Sequence, residues 1–338
     1  MRHMVASQSA GFSGLIDRFG RKITYARLSI TDRCDLRCIY CMSEGMPFLP
    51  RNQLLTLEEI ARVGRCLTEL GVTRLRITGG EPLIRRNAIW LFKQLGALPA
   101  LRDLSLTTNG TQLVRDASAL KAAGVTRVNI SLDSLQPERF QRLTRVGTLS
   151  KTLNGISAAI RAGFQRIKLN SVILRQHNHD EVLDLARFAI NQGIDISFIE
   201  EMPLGINGDR SATYYSSDAI RHDLSQVFEL IPTTERSGGP ANYYRLAGSN
   251  SRIGFISPYS HNFCAECNRI RMTAAGRLLP CLGQAQSIDL RRVMRAHPID
   301  DQRVKTAIRA TVMLKPLGHD FTHAIASTLT RHMNMTGG

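Results

Sequence analysis

Long apolar runs are missing from this sequence. No stretch of about 18 apolar residues occurs in its 338 positions, which excludes a membrane-spanning helix. Aromatic side chains are sparse, at 6% with a single tryptophan. None are interleaved along a strand as a base-stacking platform for nucleic acid requires. The first dozen residues lack the apolar stretch of a secretory signal, so a cytoplasmic chain is expected. Lysine is scarce too: seven of the 44 basic residues are lysine, against 28 acidic ones, and the net charge is +16. Arginine therefore carries nearly all the positive charge, and its planar fork suits phosphate. A GC-rich genome produces the same excess, so composition permits an anionic partner without identifying one. The length fits one large α/β domain with a smaller companion, or two medium domains.

Seven cysteines are present. Cys34, Cys38 and Cys41 form one group, Cys264, Cys267 and Cys281 another, and Cys66 stands apart. Spacings of two or three residues are too tight for a disulfide framework in a chain of this size and read as metal ligands. Cys66 lies inside a helical pattern and reads as a small buried apolar residue.

The first two hundred residues alternate strands with helices. Strands are expected at 25–30, 74–78, 104–108, 127–132, 165–174 and 195–200. The first long helix opens on a capping box, Thr56 to Glu59, and closes at Gly71. Six βα units of this kind specify a parallel sheet, either doubly wound or a partial barrel. Polar clusters follow the strands: the cysteine loop, Gly79-Gly80-Glu81-Pro82, Asn109-Gly110, Ser131 with Asp133, and Met202-Pro203. Such clusters converge at the carboxyl-terminal rim of a parallel barrel, where active sites lie. Regularity breaks near Pro232 to Pro240, dividing the chain into units of 1–235 and 236–338. The second unit holds the second cysteine group and a helical stretch near 290–308.

In the first group, C-x3-C-x2-C supplies three thiolates, enough to hold three irons of a [4Fe–4S] cluster and leave the fourth open. The competing reading is a three-thiolate zinc site, but no histidine lies in the loop to complete it. This loop, with Gly-Gly-Glu-Pro after the second strand, resembles the radical S-adenosylmethionine (SAM) superfamily. The resemblance implies that the open iron chelates SAM and that an electron splits it to a 5′-deoxyadenosyl radical. Glycines let backbone approach the methionine end of that cofactor.

In the second group, Cys264, Cys267 and Cys281 again offer three thiolates, with the zinc ribbon as the alternative. If the segment after them is extended, Cys267, Arg269 and Arg271 share a face, a poor structural choice but a good anion site. With segments such as Arg27-Leu-Ser-Ile-Thr-Asp-Arg-Cys34, Lys168-Leu-Asn170, Phe198-Ile-Glu-Glu-Met202 and the final Gly337-Gly338, the chain is similar to the GTP 3′,8-cyclases of molybdenum cofactor synthesis. That resemblance implies an incomplete (β/α)6 barrel of the TIM-like radical SAM type, with a smaller C-terminal domain carrying a second [4Fe–4S] cluster. It assigns SAM contacts to Tyr40, Gly80, Ser131 and Met202. It assigns GTP to Arg27, Arg76, Thr107, Lys168, Arg269 and Arg271, with guanine on the second cluster's open iron and catalytic roles for Gly337 and Gly338. An electron donor and a downstream enzyme making a pyranopterin are the implied partners. A homodimer is compatible with the sequence; nucleic acid and membrane are not expected as partners.

Two positions depart from the family: Ser197 stands where arginine is usual, and Thr336 replaces the common isoleucine. His177, His179 and His319 have no ligand spacing and are expected on the surface or in loops. The competing functions are a peptide-modifying radical SAM enzyme with an auxiliary cluster, and a basic zinc protein binding nucleic acid.

Overall fold

The computed structural model describes residues 14–43, 45–202, 212–261, 263–319 and 333–337. Six strands appear where the alternation places them: β1 (Tyr25–Ser29), β2 (Arg74–Thr78), β3 (Asp103–Thr108), β4 (Arg127–Ser131), β5 (Arg166–Ile173) and β6 (Asp195–Glu200). They pair in sequence order, all parallel. Alternate residues face opposite sides of the sheet. Leu28, Ile77, Leu106, Val128, Leu169 and Ile196 point outward into the core shared with the helices. The intervening positions are mostly polar, and Arg27, Arg76, Thr107, Ser131, Lys168 and the apolar Ile199, one from each strand, line a common cavity. The sheet therefore wraps around that cavity as an incomplete (β/α)6 barrel. A filled barrel would be packed with branched apolar side chains instead.

The later strands extend both edges of this sheet. β7 (Leu230–Pro232), β8 (Asn242–Leu246) and β9 (Arg252–Ile256) add to one side, and β10 (Arg269–Met272), β11 (Arg277–Leu279) and β12 (Ile288–Asp289) to the other. The order is β12-β11-β10-β1-β2-β3-β4-β5-β6-β9-β8-β7. β9 joins β6 and β10 joins β1 in parallel, while the outer strands are antiparallel. Residue 235, where the composition shifts, lies between β7 and β8.

The helix Leu57–Glu69 shows its capping box: Thr56 Oγ1 accepts from Glu59 N at 3.1 Å and Glu59 Oε2 from Thr56 N at 2.8 Å. Cys66 is fully buried on its core side. The helical stretch expected over 290–308 is two helices, Leu290–Ala296 and Asp301–Met313. Pro298 has no N–H to donate and displaces His297 from helical geometry. Asp300 then caps the second helix by accepting from Gln302 N and Arg303 N.

Candidate active site

The first cysteine loop leaves β1 and is zipped to the end of β2. Ile30 N donates to Thr78 O at 2.9 Å, Gly80 N to Thr31 O at 2.8 Å, and Glu81 N to Arg33 O at 2.8 Å. A Cβ on Gly79 would sit 2.6 Å from Thr31 O, and one on Gly80 would strike the Arg33 carbonyl. The glycine pair is thus required first by the approach of the cysteine loop itself, a different cause from the cofactor contact expected. Glu81 is fully buried and accepts from Leu83 N, Asn109 N and Thr108 Oγ1 at 2.7–2.9 Å. Burial raises its pKa to about 8, against the pull of these donors. Within the loop, Asp35 takes Asn109 Nδ2 at 2.6 Å and Thr111 Oγ1 at 2.7 Å, pinning it to the turn after β3. Tyr40 donates to Asp133 Oδ2 at 2.7 Å. Burial and the Glu81 carboxylate push the Cys34 thiol up; burial and Asp133 do the same to Cys38. Thiolates here need strong compensating positive charge, which bound iron supplies.

The second group sits across the cavity. β10 pairs with β1 so that Arg269 lies beside Tyr25 and Arg271 beside Arg27, and Arg27 in turn lies beside Arg76 on β2. One row of the sheet thus reads Arg271, Arg27, Arg76. Cys267, just ahead of β10, is in extended geometry, as the shared-face reading requires. Burial would raise its thiol's pKa, but Arg269 and Lys315 outweigh that and lower it to about 6. The guanidinium of Arg269 lies 4.8 Å over the Phe263 ring. Among the described residues, no three Cys, His, Asp or Glu side chains converge as a single-ion site needs. A cluster asks something else, one thiolate for each of three irons, and the three-cysteine sets fit that demand.

Among the described residues, Arg27, Arg76, Lys168 and Arg271 line the cavity without an ion pair. Burial lowers the pKa of Arg76 to about 10. Burial together with Arg27 and Arg269 pushes Arg271 well down, and burial with Arg76 lowers Lys168. Arg27 Nε, Thr107 Oγ1 and Asn170 Oδ1 are buried without a hydrogen-bond partner among the described residues. Each such atom costs on the order of 1–3 kcal/mol, so the cavity is built for a ligand carrying negative charge as well as polar edges. Tyr25 registers the same field. Burial raises its pKa, but the guanidinium groups of Arg76 and Arg27 override this and bring it to about 8.

All six grouped cysteines, with Tyr40, Gly80, Ser131, Met202, Arg27, Arg76, Thr107, Lys168, Arg269 and Arg271, line this single cavity of about 250 Å³. Gly337 reaches its edge: Arg271 Nη1 donates to Gly337 O at 2.5 Å. Gly338 lies outside the described residues. Residues 28–189 match the model of the radical SAM superfamily, and 194–321 that of the Molybdenum Cofactor Synthesis C family. The GTP 3′,8-cyclase of Saccharophagus degradans is 53% identical over 96% of this chain and 99% of its own length. That of Pseudomonas putida is 55% identical over 96% and 98%. The chain belongs to the GTP 3′,8-cyclase family. Its fold is also that of the Streptococcus suis protein SuiB bound to S-adenosylmethionine. That crystal structure has a TM-score of 0.61 at 17% identity and covers 87% of this chain and 69% of SuiB.

Asp133, in the polar cluster after β4, lines this cyclase-family cavity as its place at the rim implies; Lys315, which no motif singled out, lines it too, and so does His319, expected on the surface or in a loop. His319 N–H supports the Cys264 sulfur. Ser197 is buried on β6, its Oγ without a hydrogen-bond partner among the described residues, and Gly254 stands opposite it on β9.

Proposed function

We propose that this chain cyclises GTP to 3′,8-cyclo-7,8-dihydroguanosine 5′-triphosphate by radical SAM chemistry, the first step of molybdenum cofactor synthesis. One observation carries the reading. Two three-cysteine groups more than two hundred residues apart face one cavity, and a row of cations without ion pairs among the described residues lines the same cavity. When bound, the first cluster and SAM supply a 5′-deoxyadenosyl radical able to take the ribose 3′ hydrogen. The protein's part is binding and orientation. Cys34, Cys38 and Cys41 hold one [4Fe–4S] cluster, and Tyr40, Gly80, Ser131 and Met202 frame SAM beside it. Cys264, Cys267 and Cys281 hold the other cluster near the guanine end. Arg27, Arg76, Lys168, Arg269 and Arg271 grip the triphosphate by charge-assisted hydrogen bonds, and Thr107 takes a polar edge. The buried placement of Arg27, Arg76 and Lys168 directs this part of the basic charge to an internal anion and not to nucleic acid.

We further place the reaction in the cytoplasm, with a one-electron donor and a downstream enzyme that turns the cyclised nucleotide into a pyranopterin. Among the described residues no helix is long and apolar enough to cross a membrane. Anaerobic incubation of iron-loaded protein with SAM, reductant and each of the four nucleoside triphosphates tests the proposal. An isomer of GTP together with 5′-deoxyadenosine is expected, and from GTP alone. Conversion of another nucleotide, or of none, contradicts it.

A further inference from the structure

Lys315 is 2% exposed and follows the helix Asp301–Met313. A buried ammonium is costly unless all three donors are satisfied and a counter-charge is near. Its Nζ donates to Arg269 O and Pro280 O, each at 2.8 Å, and to Cys267 Sγ at 3.3 Å. Those acceptors belong to a cluster-ligand candidate, to the first residue of β10, and to the residue immediately before Cys281. The remaining ligand is tied to the same segment from the other side. Arg21, held by Asp17 at 2.6 Å, donates to Cys264 O at 2.7 Å, Leu317 O at 3.0 Å and Pro316 O at 2.5 Å. The strap 315–317 therefore contacts the Cys267 and Pro280–Cys281 segments directly through Lys315 and is linked to Cys264 through Arg21.

We propose that Lys315 is a positioning residue for the second cluster: it clamps Cys267 and the Pro280–Cys281 segment into one ligand frame, and its charged N–H···S contact raises the bound cluster's reduction potential. The claim rests on reading this group as iron ligands. Hydrogen bonds to cluster sulfurs and nearby positive charge stabilise the reduced, more negative state. Without Lys315 the cluster is harder to reduce. A lysine that merely filled space would leave the potential alone.

The test uses full-length protein in which Cys34, Cys38 and Cys41 are alanine, so that the second group alone binds iron. Iron content and the reduction midpoint, followed by electron paramagnetic resonance, are measured in this parent, in Lys315→Met and in Lys315→Arg. The expected result is four irons in each protein. The reduced-to-oxidised ratio at fixed potential should fall at least tenfold in Lys315→Met, about 59 mV for one electron, and recover in Lys315→Arg. Iron lost from Lys315→Met but kept in Lys315→Arg also supports the clamp. A parent midpoint in both variants overturns the proposal, as does equal iron loss in both with apo-protein melting lowered alike. A parent without iron overturns the cluster reading itself; four irons with an unmoved midpoint overturns only the role of Lys315.

Discussion

Arg271 Nη1 holds the carbonyl of Gly337 at 2.5 Å, tying the end of the chain to the cationic row of the sheet. Gly337 has φ +74°, and a Cβ there would strike the Thr78 side chain at the end of β2. Asn334 anchors the same segment by donating to Asp32 O at 2.8 Å, just before the first cysteine loop.

Gly337→Ala therefore pays about 1–2 kcal/mol for left-handed backbone, plus the clash with Thr78. The variant should keep its iron and its GTP affinity while turnover drops, and deletion of Gly337 and Gly338 should lower turnover further. Parallel measurements of iron, GTP binding and kcat check this; a fully active Gly337→Ala protein contradicts it.

Arg271→Ala and Arg269→Ala remove a triphosphate donor each. Losing one charge-assisted contact costs about 1.5–3 kcal/mol, roughly ten- to a hundredfold in affinity. Equilibrium titration with GTP should show that loss in both variants. Arg269→Ala should also perturb the second cluster's spectrum, because Arg269 Nη2 lies 3.8 Å from Cys267 Sγ. Unchanged GTP affinity in both would remove this strand from the substrate site.

Tyr25 gives a pH signature. Its pKa is about 8 in the folded chain and near 10 unfolded. The folded state thus favours tyrosinate, so stability rises with pH between about 8 and 10 and is lost as pH falls through 8. Ultraviolet titration of GTP-free protein should find one tyrosine ionising near pH 8, absent from Tyr25→Phe. Added GTP should move that transition upward, since its phosphates offset the guanidinium field. A transition that GTP leaves in place would argue against triphosphate beside Arg27 and Arg76.

Much of this was legible in the sequence. Most of the strands β1 to β6 announce themselves by alternating an outward apolar residue with an inward polar one, as in Tyr25-Ala-Arg27-Leu-Ser29. The attachment of β9 to β6 and β10 to β1 was not legible, because four- and five-residue strands take their partners from distant segments. The alternation of Cys267, Arg269 and Arg271 could be read, but not the rank they form with Arg27 and Arg76. Lys315 and Arg21 carry no motif spacing, and what makes them part of the site is where the Asp301–Met313 helix ends. Pro298 marks the break between Leu290–Ala296 and Asp301–Met313, which the apolar pattern over 290–308 runs across.

Two iron clusters per chain imply about eight irons. Alanine at Cys34, Cys38 and Cys41 should leave about four irons and abolish reductive SAM cleavage. Alanine at Cys264, Cys267 and Cys281 should also leave about four but permit SAM cleavage without cyclisation. Stoichiometric zinc in either protein would contradict the assignment.

The most direct measurement follows a label. GTP deuterated at the ribose 3′ carbon is incubated anaerobically with SAM, reductant and iron-loaded protein, and 5′-deoxyadenosine is analysed by mass. The account predicts 5′-deoxyadenosine carrying the deuterium, formed alongside an isomer of GTP that has lost it. Unlabelled 5′-deoxyadenosine, or label retained in the nucleotide product, would contradict it.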